Sequence, residues 1–347
     1  MTVFTTVFPG SLDDPGFGEH FLRLVGDGDE YGAVEAVTDL LDDRVPPQRI
    51  MIDLIGRTQG VVGELWADNE WSIAREHAAT AISERALAAV AARTSVRPTR
   101  GRITVACVDG EWHALPVRIL AEMLRLDGWR VDFLGASVPG PHLVTHVHQT
   151  GPDVVALSGT LPTRLPRAHA AIAACRAAGV PVIVGGRGFG PDERYAQKLG
   201  ADAWAADADD AVARLTQNWP PAIGDPYETA FLGDEEYTYV VRERSALVCT
   251  AMRRLASAYP AVKADDRRRN DSTAEDMGHI VDFLAAALYV GDERIFADFV
   301  DWTGPVLAAR GVPAPALEAD LRLIRDQLHD YPKAVGLLDA GCARLPE

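Results

Sequence analysis

Ile103-Thr-Val-Ala-Cys-Val-Asp-Gly-Glu-Trp-His113-Ala-Leu-Pro116 decides the reading of this chain. Its first six residues are apolar or β-prone and end at Asp109-Gly110, which reads as a buried strand followed by a turn. Leu115 to Leu126 then has helical spacing, and a proline at Pro116 is tolerated in a first helical turn. His113 therefore sits between a strand and a helix, where its imidazole can project beyond the strand end. An imidazole there can ligate cobalt or another transition metal. Its second nitrogen then needs an acceptor, and Asp109 or Glu111 could supply one. The plain alternative is an exposed loop histidine without a role.

Downstream the same alternation repeats. Arg130–Leu134 reads as a strand, Pro141–Gln149 as a helix, Val154–Ser158 as a strand and Arg167–Ala178 as a helix. Val180–Val184 is a further strand ending in Gly185-Gly186, and Ala203–Ala205 is a last short one. Five strand–helix alternations predict a doubly wound, mostly parallel α/β domain, with ligands beyond the carboxyl ends of its strands. The Asp109–His113 turn, Ser158, Thr160 and Gly185-Gly186 all fall at that edge. Glycine there lets backbone approach a buried ligand closely.

Upstream, residues 17–96 read as a small antiparallel helical bundle, with a helix opened by Pro46-Pro47 and a long alanine-rich helix from Trp71 to Ala92. Residues 1–16 read as an irregular arm, Thr94–Gly101 as a linker into the α/β domain (97–217), and Trp219–Pro226 as a second linker. Residues 218–347 read as an all-helical domain, with segments Asp234–Tyr259, Thr273–Tyr289, Glu293–Ala309, Ala316–His329 and Pro332–Arg344. The expected architecture is thus multidomain, α and α/β.

Composition narrows the function classes. A formal net charge of −16 disfavours nucleic acid as a partner, since Arg267-Arg268-Arg269 is the sole basic run and follows Asp265-Asp266. Four scattered cysteines without a CxxC point to a reducing, cytoplasmic setting, and no apolar stretch is long enough to span a membrane. His142, His146 and His148 lack a carboxylate to complete a metal motif and read as a solvent-facing helix.

The order strand, D-G-x-x-H-x-x-P, helix, then strands ending Leu-Gly-Ala-Ser-Val-Pro, Leu-Ser-Gly-Thr-Leu and Gly-Gly resembles the cobalamin-binding domain. The resemblance makes His113 the ligand beneath cobalt and places Ser158 and Gly185-Gly186 along the slot for the nucleotide tail. Glu111 replaces the family's aspartate and Pro116 its last glycine. The W-x9-E-H pattern of Trp66, Glu76 and His77 is similar to the helical cap of CarH-type light-sensing regulators. By that resemblance Trp66 packs on a 5′-deoxyadenosyl group, Glu76 hydrogen-bonds to it and His77 supports the same face. The match covers residues 17–217, roughly three-fifths of the chain.

Two departures bear on mechanism. Such regulators begin with a DNA-binding domain, whereas about 15 residues precede the bundle here, so a protein lacking that domain is expected. The histidine that follows the family's tryptophan, and takes the upper cobalt position after photolysis, is Ala67 here. A cobalamin module followed by a helical tail resembles the photocobilins, which bind adenosylcobalamin and a bilin such as biliverdin. That implies an apolar slot, cations for two propionates and a polar group near the pyrrole nitrogens. Arg267, Arg268 and Arg269 are the candidate cations, His279 the ring partner, and Tyr237, Tyr239, Phe283, Phe296, Phe299 and Trp302 the walls. Each has the competing reading of a core aromatic or a solvated charge. Cys249 and Cys342 are possible thioether positions, against ordinary buried cysteines. The resulting expectation is a non-enzymatic photoreceptor, dimeric and signalling to an unidentified effector. The alternatives are a corrinoid carrier of a methyltransferase or mutase, and a plain cobalamin-dependent interaction module.

Overall fold

The computed structural model describes residues 15–217, 233–258 and 267–346, with the side chains of residues 15, 258 and 267–271 outside that description. The expected N-terminal arm and the linker Trp219–Pro226 lie outside the described residues, apart from the last two positions of the arm, which are helical.

The first region is helical. Helices α1 (Pro15–Asp27), α2 (Glu30–Asp42), α3 (Pro47–Arg49), α4 (Arg57–Ala67) and α5 (Ile73–Arg93) pack around Phe17, Phe21, Val37, Leu54, Ile55 and Leu87. Phe21 is fully buried, which contributes roughly 1.5–3 kcal/mol for one such side chain. Pro47 occupies a first-turn position, as its fixed φ favours. Between α3 and α4 the chain forms a seven-residue π-helical stretch, Ile50–Gly56, which the sequence periodicity does not reveal. Ser72 caps α5 by accepting the Arg75 amide at 3.3 Å, so the long helix starts at Ile73 rather than at Trp71.

The second region is a five-stranded parallel sheet. Its strands are β1 (Arg102–Cys107), β2 (Arg130–Gly135), β3 (Val154–Ser158), β4 (Val182–Gly185) and β5 (Ala203–Ala205), in the order β2-β1-β3-β4-β5. The order reverses at β1, which pairs with β2 on one side and β3 on the other. The crevice at such a switch point is where open α/β sheets take ligands. Helices α6 (Ala114–Leu126) and α10 (Ala208–Gln217) cover one face of the sheet. Helices α7 (Gly140–Thr150), α8 (Leu165–Ala177) and α9 (Arg194–Lys198) cover the other. Helix α6 serves two cores: Val117, Ala121 and Leu124 pack on the sheet, while Leu115, Ile119 and Met123 join the bundle core. The bundle is thereby fixed against the side of the sheet that carries His113.

The third region is helical over its described residues: α11 (Glu235–Ala258), α12 (Arg267–Val290), α13 (Arg294–Ala309), α14 (Ala314–Arg325) and α15 (Pro332–Cys342). Helix α12 starts six residues before the expected Thr273, so Arg267-Arg268-Arg269 begins a helix. Its apolar core is continuous with that of α7 and α8, and His169 Nδ1 lies 2.6 Å from the Tyr289 hydroxyl. No helix among the described residues is long and apolar enough to cross a membrane.

Candidate functional site

The turn after β1 is built around Glu111. Gly110 adopts φ +80°, the left-handed conformation that the Asp109-Gly110 pair anticipates. The chain then folds Glu111 inward, to 1% exposure. One Glu111 oxygen lies 2.9 Å from the His113 amide and 2.5 Å from His113 Nδ1. The other accepts the Thr160 and Leu161 amides at 2.6 and 3.2 Å. Burial alone would raise the carboxyl pKa, but the His113 side chain and amide and the Thr160 amide outweigh it and hold it at about 2. A carboxylate so firmly ionised is an acceptor, so Nδ1 carries the proton and Nε2 is the nitrogen left for a ligand. The hydrogen bond to Glu111 raises the His113 pKa against the effect of burial, and Glu76 on the bundle adds to the rise.

Of the two acceptors open to His113, the structure selects Glu111. Asp109 instead pairs with Arg167 at 3.7 Å. Thr160 contributes its backbone to the site by fixing Glu111. Behind the turn, burial pushes the Cys107 thiol up to about 12, so it stays protonated. Trp112, which the sequence reading passed over, is 75% exposed beside His113.

The carboxyl ends of β3 and β4 explain the glycine pair. Ser158 is paired in register with Gly185, and the Gly159 amide donates to the Gly185 carbonyl at 3.1 Å. Gly186 has φ +93°, and a Cβ there would stand 2.5 Å from the Gly159 carbonyl oxygen. The close approach that requires glycine is therefore already made by backbone to backbone. Val108, Gly159, Leu161, Leu165, Gly188 and Phe189 pack closely at this edge and leave no cavity that would admit a water molecule.

Trp66 lies in the last turn of α4 and Glu76 in the first turn of α5, so the nine residues between them span one turn at one end of the bundle. Glu76 contacts His77 Nδ1, and its other oxygen lies 3.1 Å from the Thr80 hydroxyl, which is 2.8 Å from Gln59 Oε1. Glu76 is half-buried and His77 exposed. Gln59 and Thr80 carried no sequence signal for this role.

The C-terminal candidates divide. His279, expected beside a pyrrole system, is on the exposed side of α12. Phe296 and Phe299 are buried, and Phe299 stacks on Phe283 at 4.2 Å, so these three form core packing rather than an open wall. Tyr237 packs on Tyr289 at 4.8 Å and Tyr239 on Tyr331 at 4.2 Å, which also satisfies them within the helical core. The side chains of Arg267, Arg268 and Arg269 lie outside the described ones. Cys249 is exposed and Cys342 half-buried. His146 is not solvent-facing: it is half-buried, with Nε2 3.3 Å from Asp132 of β2. Asp320 is nine-tenths buried, and burial together with Asp276 raises its carboxyl to about 7.

Two family models, each described as a B12 binding domain, match residues 101–216 and 18–91, the sheet domain and the bundle. Over 216 residues the chain is 34% identical to the HTH-type transcriptional repressor CarA of Myxococcus xanthus, covering 58% of this chain and 70% of CarA. The chain belongs to the CarA family of B12-binding proteins. Within that wider group it is also 28% identical over 205 residues to the trimethylamine corrinoid protein of Methanosarcina barkeri, covering 56% of this chain and 92% of that one. The structure of the Methanosarcina barkeri monomethylamine corrinoid protein shares the fold, with a TM-score of 0.51 over 57% of this chain and 96% of that one at 16% identity. A corrinoid is accordingly the cofactor of this CarA-family chain.

The residues present fit that group. His113 offers one oriented imidazole whose side chain is 57% exposed, backed by a buried carboxylate, as a metal-ligating histidine requires. Among the described residues no three His, Cys, Asp or Glu side chains converge on a metal position. A corrinoid would bring its own ring donors for cobalt, so His113 would be the one side chain asked to hold the metal.

Proposed function

We propose that this chain is a light sensor that holds adenosylcobalamin between the bundle and the sheet domain. The observation that supports it best is the Glu111-oriented His113 imidazole, close enough to the bundle end to feel Glu76. In this reading His113 Nε2 would hold the cobalt, and Trp66, Glu76 and His77 would hold the adenosyl group. Ser158, Gly185 and Gly186 border the nucleotide tail, and Asp109 and Thr160 keep the turn in place. Bound adenosylcobalamin supplies a cobalt–carbon bond that green or shorter-wavelength light breaks. With that bond as the light-sensitive element, Trp66, Glu76 and His77 would couple the state of the upper group to the position of the bundle, and a change of domain or subunit packing, in a homodimer, would report it to an effector. The test is the absorption spectrum of chain loaded with adenosylcobalamin in the dark, before and after green light. Conversion of the cobalamin bands is expected; unchanged bands sink the proposal.

A bilin bound by the C-terminal helices would extend the response to longer wavelengths. Asp276 and His279 lie one turn apart on α12, with His279 exposed, and Trp302 of α13 keeps 52% exposure where it stacks on Trp66. An acidic group and an exposed histidine on neighbouring turns suit pyrrole N–H donors. Titration with biliverdin should produce a long-wavelength band; its absence removes the second chromophore.

A methyl carrier is the second reading, favoured by the similarity to the trimethylamine corrinoid protein over 205 residues, 92% of that protein's length. It predicts tighter binding of methylcobalamin than of adenosylcobalamin in a direct competition.

A further inference from the structure

The end of α4 that carries Trp66 is held by the C-terminal helices. Arg310, which follows α13, donates Nη2 to the Trp66 carbonyl at 2.8 Å and Nη1 to the Ala67 carbonyl at 2.9 Å. Nη1 also reaches the Val306 carbonyl of its own helix at 2.8 Å. The guanidinium carbon stands 4.7 Å from the centroid of the Trp66 ring. Trp302, two turns earlier on α13, stacks on Trp66 at 6.2 Å with an interplanar angle of 27°. Asn69, with φ +60°, adds a bond from Nδ2 to the Ala309 carbonyl at 3.2 Å.

These contacts form one device. The last carbonyls of a helix lack intrahelical donors and carry partial negative charge, and a planar guanidinium can serve two of them at once. Bonded to carbonyls on α4 and α13 together, Arg310 cannot shift without giving up one set. Its position over the indole then fixes the ring as well as the backbone. Asp276 of α12 feels the Arg310 charge, which ties the clamp to the interior of the helical domain. Ala67 itself can offer no side-chain ligand, so this segment acts through its backbone carbonyl and the neighbouring indole.

We infer that Arg310 and Trp302 are positioning residues for Trp66, so that the C-terminal helices help the corrinoid slot discriminate between large and small upper ligands. This rests on the proposed placement of the corrinoid beneath Trp66. The consequence is reciprocal: a large group pressed against Trp66 also bears on α13, and displacement of α13 alters the space left for that group.

The test uses the full chain in the dark, with adenosylcobalamin as the large-ligand probe and hydroxocobalamin as the small one. The quantity read is the ratio of their dissociation constants. Arg310→Ala should change that ratio about tenfold with hydroxocobalamin affinity held within about twofold, and Trp302→Ala should change it in the same direction. Arg310→Lys, which keeps the charge without the fork, should fall between wild type and Arg310→Ala. An unchanged ratio in both alanine variants overturns the inference, as does a parallel loss of both affinities, which would mark a merely structural role. Trp302 is half exposed, so its variant keeps the test available should Arg310→Ala fail to fold. Wild-type chain alone tests the proposed adenosyl preference. If that preference is missing, a variant-induced change in ratio still supports positioning, and no change overturns it.

Discussion

Glu111 and His113 act as one unit: a carboxylate oxygen 2.5 Å from Nδ1 fixes the imidazole, while its partner oxygen accepts amides from the loop after β3. The orientation of the proposed lower ligand is thus tied to the junction of two strands. Glu111→Ala should leave the Thr160 and Leu161 amides without their acceptor. A stability loss on the order of 1–3 kcal/mol per unsatisfied buried group is expected, read in chemical denaturation. Glu111→Gln should lose less stability, since its carbonyl still accepts. If Glu111→Ala unfolds like wild type, the anchoring role is wrong.

His113→Ala addresses the ligand directly. The imidazole-ligated cobalamin spectrum should give way to one with water at the lower face, and affinity should fall at least about tenfold, or 1.4 kcal/mol. A spectrum identical to wild type would remove His113 from the cobalt.

Gly186 tests the glycine pair. Alanine there must adopt φ +93° and places its Cβ 2.5 Å from the Gly159 carbonyl oxygen. The backbone conformation alone costs on the order of 1–3 kcal/mol, and displacing Gly159 adds to it. Gly186→Ala should therefore lower the melting temperature by several degrees even without cofactor. A destabilisation seen only in the loaded protein would show that the glycine serves the ligand instead.

Asp320 makes stability depend on pH. Its carboxyl is raised from 3.8 to about 7 by burial and by Asp276. The unfolded chain gives up this proton first, so its contribution to stability is fullest below about 4 and is lost as pH rises to about 7. The shift corresponds to roughly 4 kcal/mol at most. Asp320→Asn should stabilise the protein at pH 8 and flatten its stability profile between pH 4 and 7. Equal stability of the two proteins at pH 8 would show that Asp320 ionises there without cost.

Much of the local structure around the candidate site was legible because its signals are local. The Asp109–Pro116 segment fixes a strand, a turn and a helix by residue type alone. The nine residues between Trp66 and Glu76 become informative once they are seen to span the α4–α5 turn. The C-terminal helices were readable from spacing, although α12 runs on past Thr273. His279 and the phenylalanines were less readable, because a sequence does not say which face of a helix finds partners. Phe283 and Phe299 satisfy each other, and His279 points away.

By itself the sequence determined the alternation of strands and helices, the glycines at the β4 end and the histidine beyond β1. These follow from side-chain periodicity and backbone conformation over a few residues. Only the tertiary structure decided that Glu111 rather than Asp109 orients His113, because the choice rests on the Thr160 and Leu161 amides some fifty residues away. Only it revealed Arg310 on Trp66, a contact across 244 positions for which no spacing rule exists. Hydrogen-bond partners and charge pairs are set by the packing of whole elements, and that packing is the sum of all the cores rather than a property of any one segment.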